Sequence, residues 1–471
     1  MSSSAWYSGK MMQPWFYVPV QPSLILAASV LCSASAFAQT LTEDYTISNP
    51  PTVVWTENLG TAACAEGEFA VISAVNDSRL HTPSAGVVYI VDVNSGTHLY
   101  RLAQQDAEAT DAFGDALDMA DGFIVVGSPG DSDDGFHSGS AYLYHALSGA
   151  MIRKYTPGDG KAGKRFGSAV AVDNGIVAIG ADADNDNGSH AGAVYLSQMA
   201  TATPIAKLTG SPAVAGAHFG GSVDLFGDVL VVGAPSDIDP SGIPCGAAYI
   251  YSLSNLNAPI KVTPHDAAEG DFFGRSVATD GEFVVVGSPR DDTLGMNSGS
   301  IYVYNAATGA FVIKLKANES FINGAFGDDL SMDGRVLAVS ANAYDGASQD
   351  SGAVFLFDTR SWAQIAKLQS APTANTIYEF GYCVAVSGPR VLVGARRAYL
   401  DSAEIGMGYV FTAPDLACLA DTNGDGSVTP ADFSAWVAAF NAMAPQCDQN
   451  GDGQCTPADF SAWVANYNAG C

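Results

Sequence analysis

The chain repeats itself. Phe-Gly pairs stand at Phe113-Gly114, Phe166-Gly167, Phe219-Gly220, Phe273-Gly274, Phe326-Gly327 and Phe380-Gly381, spaced by 53, 53, 54, 53 and 54 residues. Each pair opens a short alternating stretch such as FGSAVAV (166–172), followed by a Gly-containing turn. A second apolar stretch ends in Gly-Ser-Pro or Gly-Ala-Pro at 125–129, 231–235 and 285–289, with variants at 179–182, 339–342 and 393–396. An Asp-rich loop leads to a third stretch, as in GSAYLY (139–144) and GSIYVY (299–304). A fourth ends in a triplet such as AKL (206–208), IKL (313–315) or AKL (366–368). Runs this short, rich in Val, Ile and Tyr and bounded by turn residues, are strands. Four strands per unit at this period predict the blades of a β-propeller, a ring that leaves only short sheet edges.

Residues 59–100 form a degenerate first copy, with Leu59-Gly60, FAVISAV (69–75) and GVVYIVDV (86–93), so the count is seven. The seventh copy stops after its third strand at Phe411. The extended stretch within Asp44 to Trp55 is expected to supply the missing outer strand and close the ring; the alternative is a spacer without structure.

These signatures resemble the FG-GAP repeat family, best known from the ligand-binding heads of integrin α chains, over about residues 59–411. The resemblance implies a propeller that binds a macromolecule. The calcium loop of integrin blades, between the Phe-Gly strand and the Gly-Ala-Pro strand, does not carry over. Here that connection shrinks to Asp121-Gly122, Asn174-Gly175, Asp280-Gly281 and Asp333-Gly334, residues suited to positive φ in hairpin turns. The loops after the second strand keep carboxylates: Asp131, Asp133 and Asp134; Asp182, Asp184 and Asp186; Asp237 and Asp239; Asp291 and Asp292; Asp345 and Asp350. They are either ordinary acidic turns or further calcium sites.

Beyond Pro414 the character changes. Residues 421–432 (DTNGDGSVTPAD) and 448–459 (DQNGDGQCTPAD) both fit a twelve-residue calcium loop, with Gly at the sixth place for the sharp turn. The first offers Asp421, Asn423, Asp425, the Ser427 carbonyl, Thr429 and Asp432. The second offers Asp448, Asn450, Asp452, the Gln454 carbonyl, Thr456 and Asp459. From Cys418 to Cys471 there is no Lys, Arg, His or Glu, and all six Asp fall at ligand places. Each loop runs into a predicted helix with Pro at its entry (Pro430, Pro457). Phe433, Trp436, Val437 and Phe440 recur at helical spacing, as do Phe460, Trp463, Val464 and Tyr467, and the two stripes are expected to pack together. The pair resembles the dockerin type I repeat, which implies two bound Ca2+ and a cohesin-like receptor. It departs from that pattern at the tenth and eleventh places, Pro430-Ala431 and Pro457-Ala458.

Four of the cysteines lie here. The favoured pairing is Cys418 with Cys471 and Cys447 with Cys455, out of three possible connectivities. Cys64, Cys245 and Cys383 sit in the ring, where a bridge between Cys64 and Cys383 is conceivable once the ring closes.

At the other end, Lys10 precedes an apolar run (23–31), and Ala36-Phe37-Ala38 has small residues where a signal peptidase reads. Cleavage after Ala38 is expected, with export to the cell surface or beyond; the run is too short to span a bilayer. The formal charge of −29, from 49 Asp+Glu against 20 Lys+Arg, argues against nucleic acid and anionic lipid. The seven His are scattered; His137 and His190 share one turn position, two before the third-strand Gly. No catalytic motif emerges. The sequence therefore predicts a signal peptide (1–38), an all-β, seven-bladed propeller of four-stranded blades (39–415) and a small α-helical, EF-hand-like module (416–471). The expected function is non-enzymatic recognition of an extracellular protein or polysaccharide. The alternatives are a polysaccharide hydrolase or lyase, and a structural surface-layer component.

Overall fold

The computed structural model describes residues 39–41, 43–48, 58–76, 84–160, 162–319, 322–346, 350–370, 377–400, 403–414, 422, 430–444, 447 and 455–469. The expected leader lies outside them. Seven antiparallel sheets follow one another along the chain. Blade three shows the pattern: Phe166–Asp173, Ile176–Ala181, Ala193–Gln198 and Pro204–Leu208, hydrogen-bonded in that order from the centre outward. The second strands are buried along almost their whole length, as in Val229–Ala234 and Phe283–Ser288. Neighbouring blades cover both of their faces, which is why these strands read as continuous apolar runs. The outermost strands alternate less cleanly and leave Leu99, Ile152, Ile205 and Val312 exposed.

The Phe-Gly pair sits where two blades meet. Phe113, Phe166, Phe219, Phe273, Phe326 and Phe380 are all buried. Each packs edge-on against an aromatic ring of its own third strand, from Phe219–Tyr249 at 5.1 Å to Phe326–Phe355 at 5.6 Å between centroids. The Phe amide donates backward into the preceding blade, as from Phe166 to the Ser138 carbonyl (3.0 Å) and from Phe273 to the Cys245 carbonyl (2.9 Å). The third-strand glycine abuts this point: a Cβ on Gly139 would strike the Phe166 carbonyl, and one on Gly246 the Phe273 carbonyl. The residue before each Phe, and before Leu59 in blade one, adopts a left-handed backbone, with φ near 55° at Asn58, Ala112, Arg165, His218, Phe272, Ala325 and Glu379. Residue types this varied gave no hint of it.

The ring closes as expected, with an addition. Strand β1 (Gln39–Leu41) and strand β2 (Tyr45–Ile47) precede the first blade. β2 pairs antiparallel with Met407–Thr412, Ile47 opposite Gly408, and completes blade seven. Asp44 anchors it: its carboxylate accepts from Thr412 Oγ1 (2.6 Å) and Arg390 Nη1 (3.0 Å). β1, which the sequence did not disclose, lies parallel on the outer strand of blade six, Leu41 opposite Leu368. At the centre the Gly67 amide donates to Ser387 Oγ, joining blade one to blade seven (2.9 Å).

The tight turns divide. Asp121-Gly122 and Asn174-Gly175 both take positive φ at both residues. At Asp280-Gly281 and Asp333-Gly334 only the glycine does; the Asp280 carboxylate instead caps the Glu282 and Phe283 amides (2.9 and 2.7 Å). The conceivable Cys64–Cys383 bridge does not form. Both thiols are buried and free, and the Cys383 thiol points to the Gly60 carbonyl (3.3 Å).

Ile47 is 1% exposed and sits in one apolar cluster with Leu59, Ile72 and Val410. Ile47→Ala is expected to cost about 2–4 kcal/mol through lost burial and a residual cavity. Denaturant unfolding of the full chain should show a lower midpoint, whereas a spacer role for this stretch requires no change.

Candidate functional site

The acidic loops of the blades face a cation supplied by the chain itself. Lys154, Lys207, Lys261, Lys314 and Lys367 recur on the outer strands, and each ammonium lies against a third-strand or loop aromatic ring. In blade two Lys154 Nζ meets Asp106 (2.8 Å), Asp131 (2.9 Å) and Asp133 (2.6 Å). In blade five Lys314 meets Asp266 (2.7 Å) and Asp291 (2.6 Å), while Tyr302 donates to both carboxylates. Blade three holds two lysines, the buried Lys164 and Lys207, among Asp159, Asp184 and Asp186. These three are the group of metal-capable carboxylates among the described residues, and both ammonium ions reach all three. Blade six swaps the pattern to Glu319, Tyr344 and Lys367. Burial pushes the Asp291 carboxyl up, but Lys314, Thr293 and Tyr302 more than offset it and hold it at about 2.

Inside the ring runs a channel of about 720 Å³ lined by the innermost strands of all seven blades. Its wall is strapped by side chains that imitate strand pairing. Asp118 accepts from the Val172 amide (2.6 Å), Asp224 from Thr279 (2.6 Å) and Asp329 from Val384 (2.8 Å). Each strap joins one blade to the next. Burial raises all three carboxyls, to about 7, 6 and 7; Asp224 and Asp173 add repulsion at Asp118, and Asp328 does so at Asp329.

The two mouths of the channel differ in kind. At the turn end the acids are engaged by backbone: Glu66 accepts from the Asp121 and Gly122 amides, Asp173 from Gly227 and Asp333 from Gly388. At the Phe-Gly end, the residue after each pair differs from blade to blade: Thr61, Asp115, Ser168, Gly221, Arg275, Asp328 and Tyr382, all on the channel wall. Ion pairs link this rim, with Arg275 to Asp328 at 3.2 Å, Arg165 to Asp182 at 3.5 Å and Arg396 to Glu379 at 2.6 Å. Burial raises the Asp115 carboxyl against the pull of Arg165, Arg275 and Arg396. Three arginines thus converge on one rim of an acidic protein.

The C-terminal module has two helices, α1 (Pro430–Ala442) and α2 (Pro457–Ala469). Of the expected ligands, Asp421, Asn423, Asp425, Ser427, Thr429, Asp448, Asn450, Asp452 and Gln454 lie outside the described residues. Asp432 and Asp459 are fully buried in the first helical turns. Asp459 accepts from the amide and hydroxyl of Thr456 (2.7 and 3.1 Å), a capping box that fixes the helix start. The helices meet through reciprocal aromatic contacts: Phe433 with Trp463 at 5.1 Å, Trp436 with Phe460 at 5.7 Å. Trp436 Nε1 donates to the Cys447 carbonyl and Trp463 Nε1 to Thr422 Oγ1, both at 3.2 Å, so each helix reaches across to the other's loop. Packing is narrower than the stripes suggested. The two tryptophans are buried, while Phe433, Val437, Phe460 and Val464 remain exposed. Cys447 and Cys455 form the favoured disulfide; Cys418 and Cys471 lie outside the described residues.

The sequence had shown the loop carboxylates and even the AKL and IKL triplets, without joining them. The missed signal was period: Lys154, Lys207, Lys261, Lys314 and Lys367 recur in step with Asp131, Asp184, Asp237 and Asp291. His137 and His190 occupy a left-handed turn position, shared by Asn297 and Asp350. Among the described residues no helix is long and apolar enough to cross a membrane. Residues 97–144, 151–197, 203–251 and 259–304 match the model of the FG-GAP repeat. Each matched unit starts near the outer strand of one blade and ends with the third strand of the next. Comparison with the curated proteins gives no match.

Lys314→Met should cost about 3 kcal/mol, because it leaves Asp266 and the buried Asp291 facing each other uncompensated. The depressed Asp291 carboxyl contributes stability above pH ~4 that is lost as pH falls toward 2. Melting curves of Lys314→Met should lack that acid-side loss.

The channel carboxyls act oppositely. Their raised values contribute stability that is complete below pH ~4 and lost as pH rises through 6 to 7. Asp118→Asn keeps an oxygen for the Val172 amide and removes the charge. It should stabilise the protein by about 1–2 kcal/mol at pH 8 and by nothing near pH 4, read as the gap between paired melting temperatures.

Proposed function

Because the ring is an FG-GAP-repeat propeller, we propose that the protein is an exported, non-catalytic recognition protein whose Phe-Gly mouth binds an extracellular macromolecule. The observation that carries this reading is the contrast between positions within one repeat. Residues that hold blades together recur: the Phe, its Gly, the third-strand Gly, the clamp Lys. The residue facing the channel mouth just after Phe-Gly (Leu-Gly in blade one) takes six different identities in seven blades, Asp alone occurring twice. A position free to vary where packing is constant is available for recognition. The opposite mouth lacks this freedom, since its carboxylates cap amides of the next blade.

In this reading export follows from the leader expected to end at Ala38, and the C-terminal pair serves as attachment. Two observations support calcium there. Asp432 and Asp459 are buried carboxyl side chains, and the sequence from Cys418 to Cys471 carries no Lys, Arg or His. The donor set is carboxylate, amide, hydroxyl and carbonyl oxygen, the hard-oxygen set that Ca2+ takes. Bound calcium would neutralise the acidic loops and contribute its binding energy to folding. The blade loops take lysine instead, so the calcium requirement is confined to the tail.

Elemental analysis of the full chain after dialysis should find two calcium ions. Asp421→Ala with Asp448→Ala should remove both and make the tail sensitive to protease while the ring stays resistant. Equal resistance of the tail with and without chelator would defeat the calcium reading. For the mouth, Arg275→Ala should reduce capture of an extracellular macromolecule by about tenfold, and Glu68→Ala at the far end should not. Release of reducing ends from polysaccharide, abolished by a single Asp or Glu substitution, would replace recognition by hydrolysis.

A further inference from the structure

Blade seven breaks the repeat on the Phe-Gly side. Its two inner strands, Ile377–Ser387 and Arg390–Leu400, have 11 residues each, against 8 and 6 in blade three. The added length is paired, Tyr378 opposite Arg397 and Ile377 opposite Ala398, so a stiff two-stranded arm replaces the usual Asp-rich loop. Against the blade-six loop it frames a notch of about 390 Å³.

The chemistry of the notch is specific. Its charged groups are Arg396, Arg397, Glu379 and Asp350, two of each sign. Glu379 already pairs with both arginines, at 2.6 and 3.6 Å. The Asn342 carboxamide stands beside them and donates to Asp328 (2.7 Å) on the channel rim. Two phenol rings, Tyr378 and Tyr382, complete the wall, with the Arg396 guanidinium 3.7 Å from the centre of the Tyr382 ring. Among the described residues that line it, the sole aliphatic side chain is Ala343.

Each class of ligand makes a demand that can be checked against this lining. An anion or a metal needs an excess of one charge, and here the charges cancel. A lipid or an apolar side chain needs aliphatic wall, of which the described lining has Ala343 alone. What remains is a set of flat groups, guanidinium, carboxylate and carboxamide, that present hydrogen-bonding atoms in pairs. Neighbouring hydroxyls of a sugar ring match such pairs, each hydroxyl both donating and accepting. The phenol rings offer an apolar face with a polar tip, suited to the C–H face of the same ring. The volume is at the lower end of the roughly 300–1,000 Å³ usual for small-molecule sites. We propose that the notch between blades six and seven binds a neutral oligosaccharide. Tyr382 lines both notch and channel, so a longer chain continues from the notch onto the mouth. The inference rests on the reading of that mouth as the recognition face.

The test uses the full chain with calcium and a panel of neutral hexasaccharides (β-1,4-gluco, β-1,4-xylo, β-1,4-manno and α-1,4-gluco), with oligogalacturonate as the charged control, followed by calorimetry. One neutral series should bind, with affinity changing less than about twofold between low and high salt. Arg397→Ala, at an exposed residue, and Tyr378→Ala should each weaken binding by at least about tenfold. Tyr378→Phe, which keeps the ring, should retain most of it, and Glu68→Ala at the opposite, turn end should change nothing. Unchanged melting temperatures certify that the variants fold. Binding of no neutral series overturns the proposal, as does binding that Arg397→Ala and Tyr378→Ala leave intact, or a steeply salt-dependent preference for the uronate. Capture of a macromolecule sensitive to Arg275→Ala, without sugar binding, removes the sugar assignment and leaves the recognition mouth. Sugar release with notch-dependent binding does the reverse, keeping the notch and removing the non-catalytic reading.

Discussion

The ring depends on how closely two backbones approach at the seam between blades. The third-strand glycine of one blade touches the Phe-Gly peptide of the next, in positions where a Cβ would collide with the Phe carbonyl. That contact sets the Phe amide to donate backward and buries the Phe ring against its own blade. It also forces the residue before Phe into a left-handed backbone, a cost of about 1–2 kcal/mol for a residue with a side chain. The cost recurs at all seven seams, and it is a condition of closure rather than a mark of any one site. Seven identical seams make a circle, so the spacing of 53 or 54 residues expresses a geometric requirement of one contact.

Asp does three jobs in this chain, and the neighbours decide which. On the outer face it pairs with a lysine from the same blade. Five of the nine lysines are used this way, Lys154, Lys164, Lys207, Lys261 and Lys314, while Lys367 takes Glu319 instead. A tethered ammonium cannot be removed by a chelator. On the channel wall Asp accepts a backbone amide of the next blade, and burial keeps its carboxyl raised. In the tail Asp459 accepts from the amide and hydroxyl of Thr456 and so serves the start of a helix. The formal charge of −29 is thus spread over environments with opposite responses to pH.

The sequence revealed whatever repeats. Blade number, strand order and the closing strand near Asp44 could all be read because each is forced by period or by a missing partner. Period also contained the lysine clamps, but recognising them required aligning the fourth strand of one blade with the second loop of the same blade, a pairing only the folded sheet creates. β1 was illegible for a different reason. Three residues lying parallel on an outer edge leave no alternation to detect, and nothing in blade six signals an unfilled place. The exposed Phe433 and Val437 mark the same limit in the tail. A helical stripe shows which face is apolar, not how much of it a single partner helix can cover.

Departure from the repeat carries the remaining information. A ring of equivalent blades has equivalent mouth positions, and symmetry alone gives a ligand no preferred direction of approach. The chain breaks the symmetry in two ways. The residue after Phe-Gly differs between every two neighbouring blades, with Asp alone occurring twice, which makes the rim chemically uneven. Blade seven then extends its inner hairpin beyond the pattern and brings Tyr378, Arg396 and Arg397 beside the rim. Blade seven is also the blade completed by β2, with Thr412 and Arg390 held by Asp44. The arm therefore stands on the one sheet in which both ends of the ring are joined.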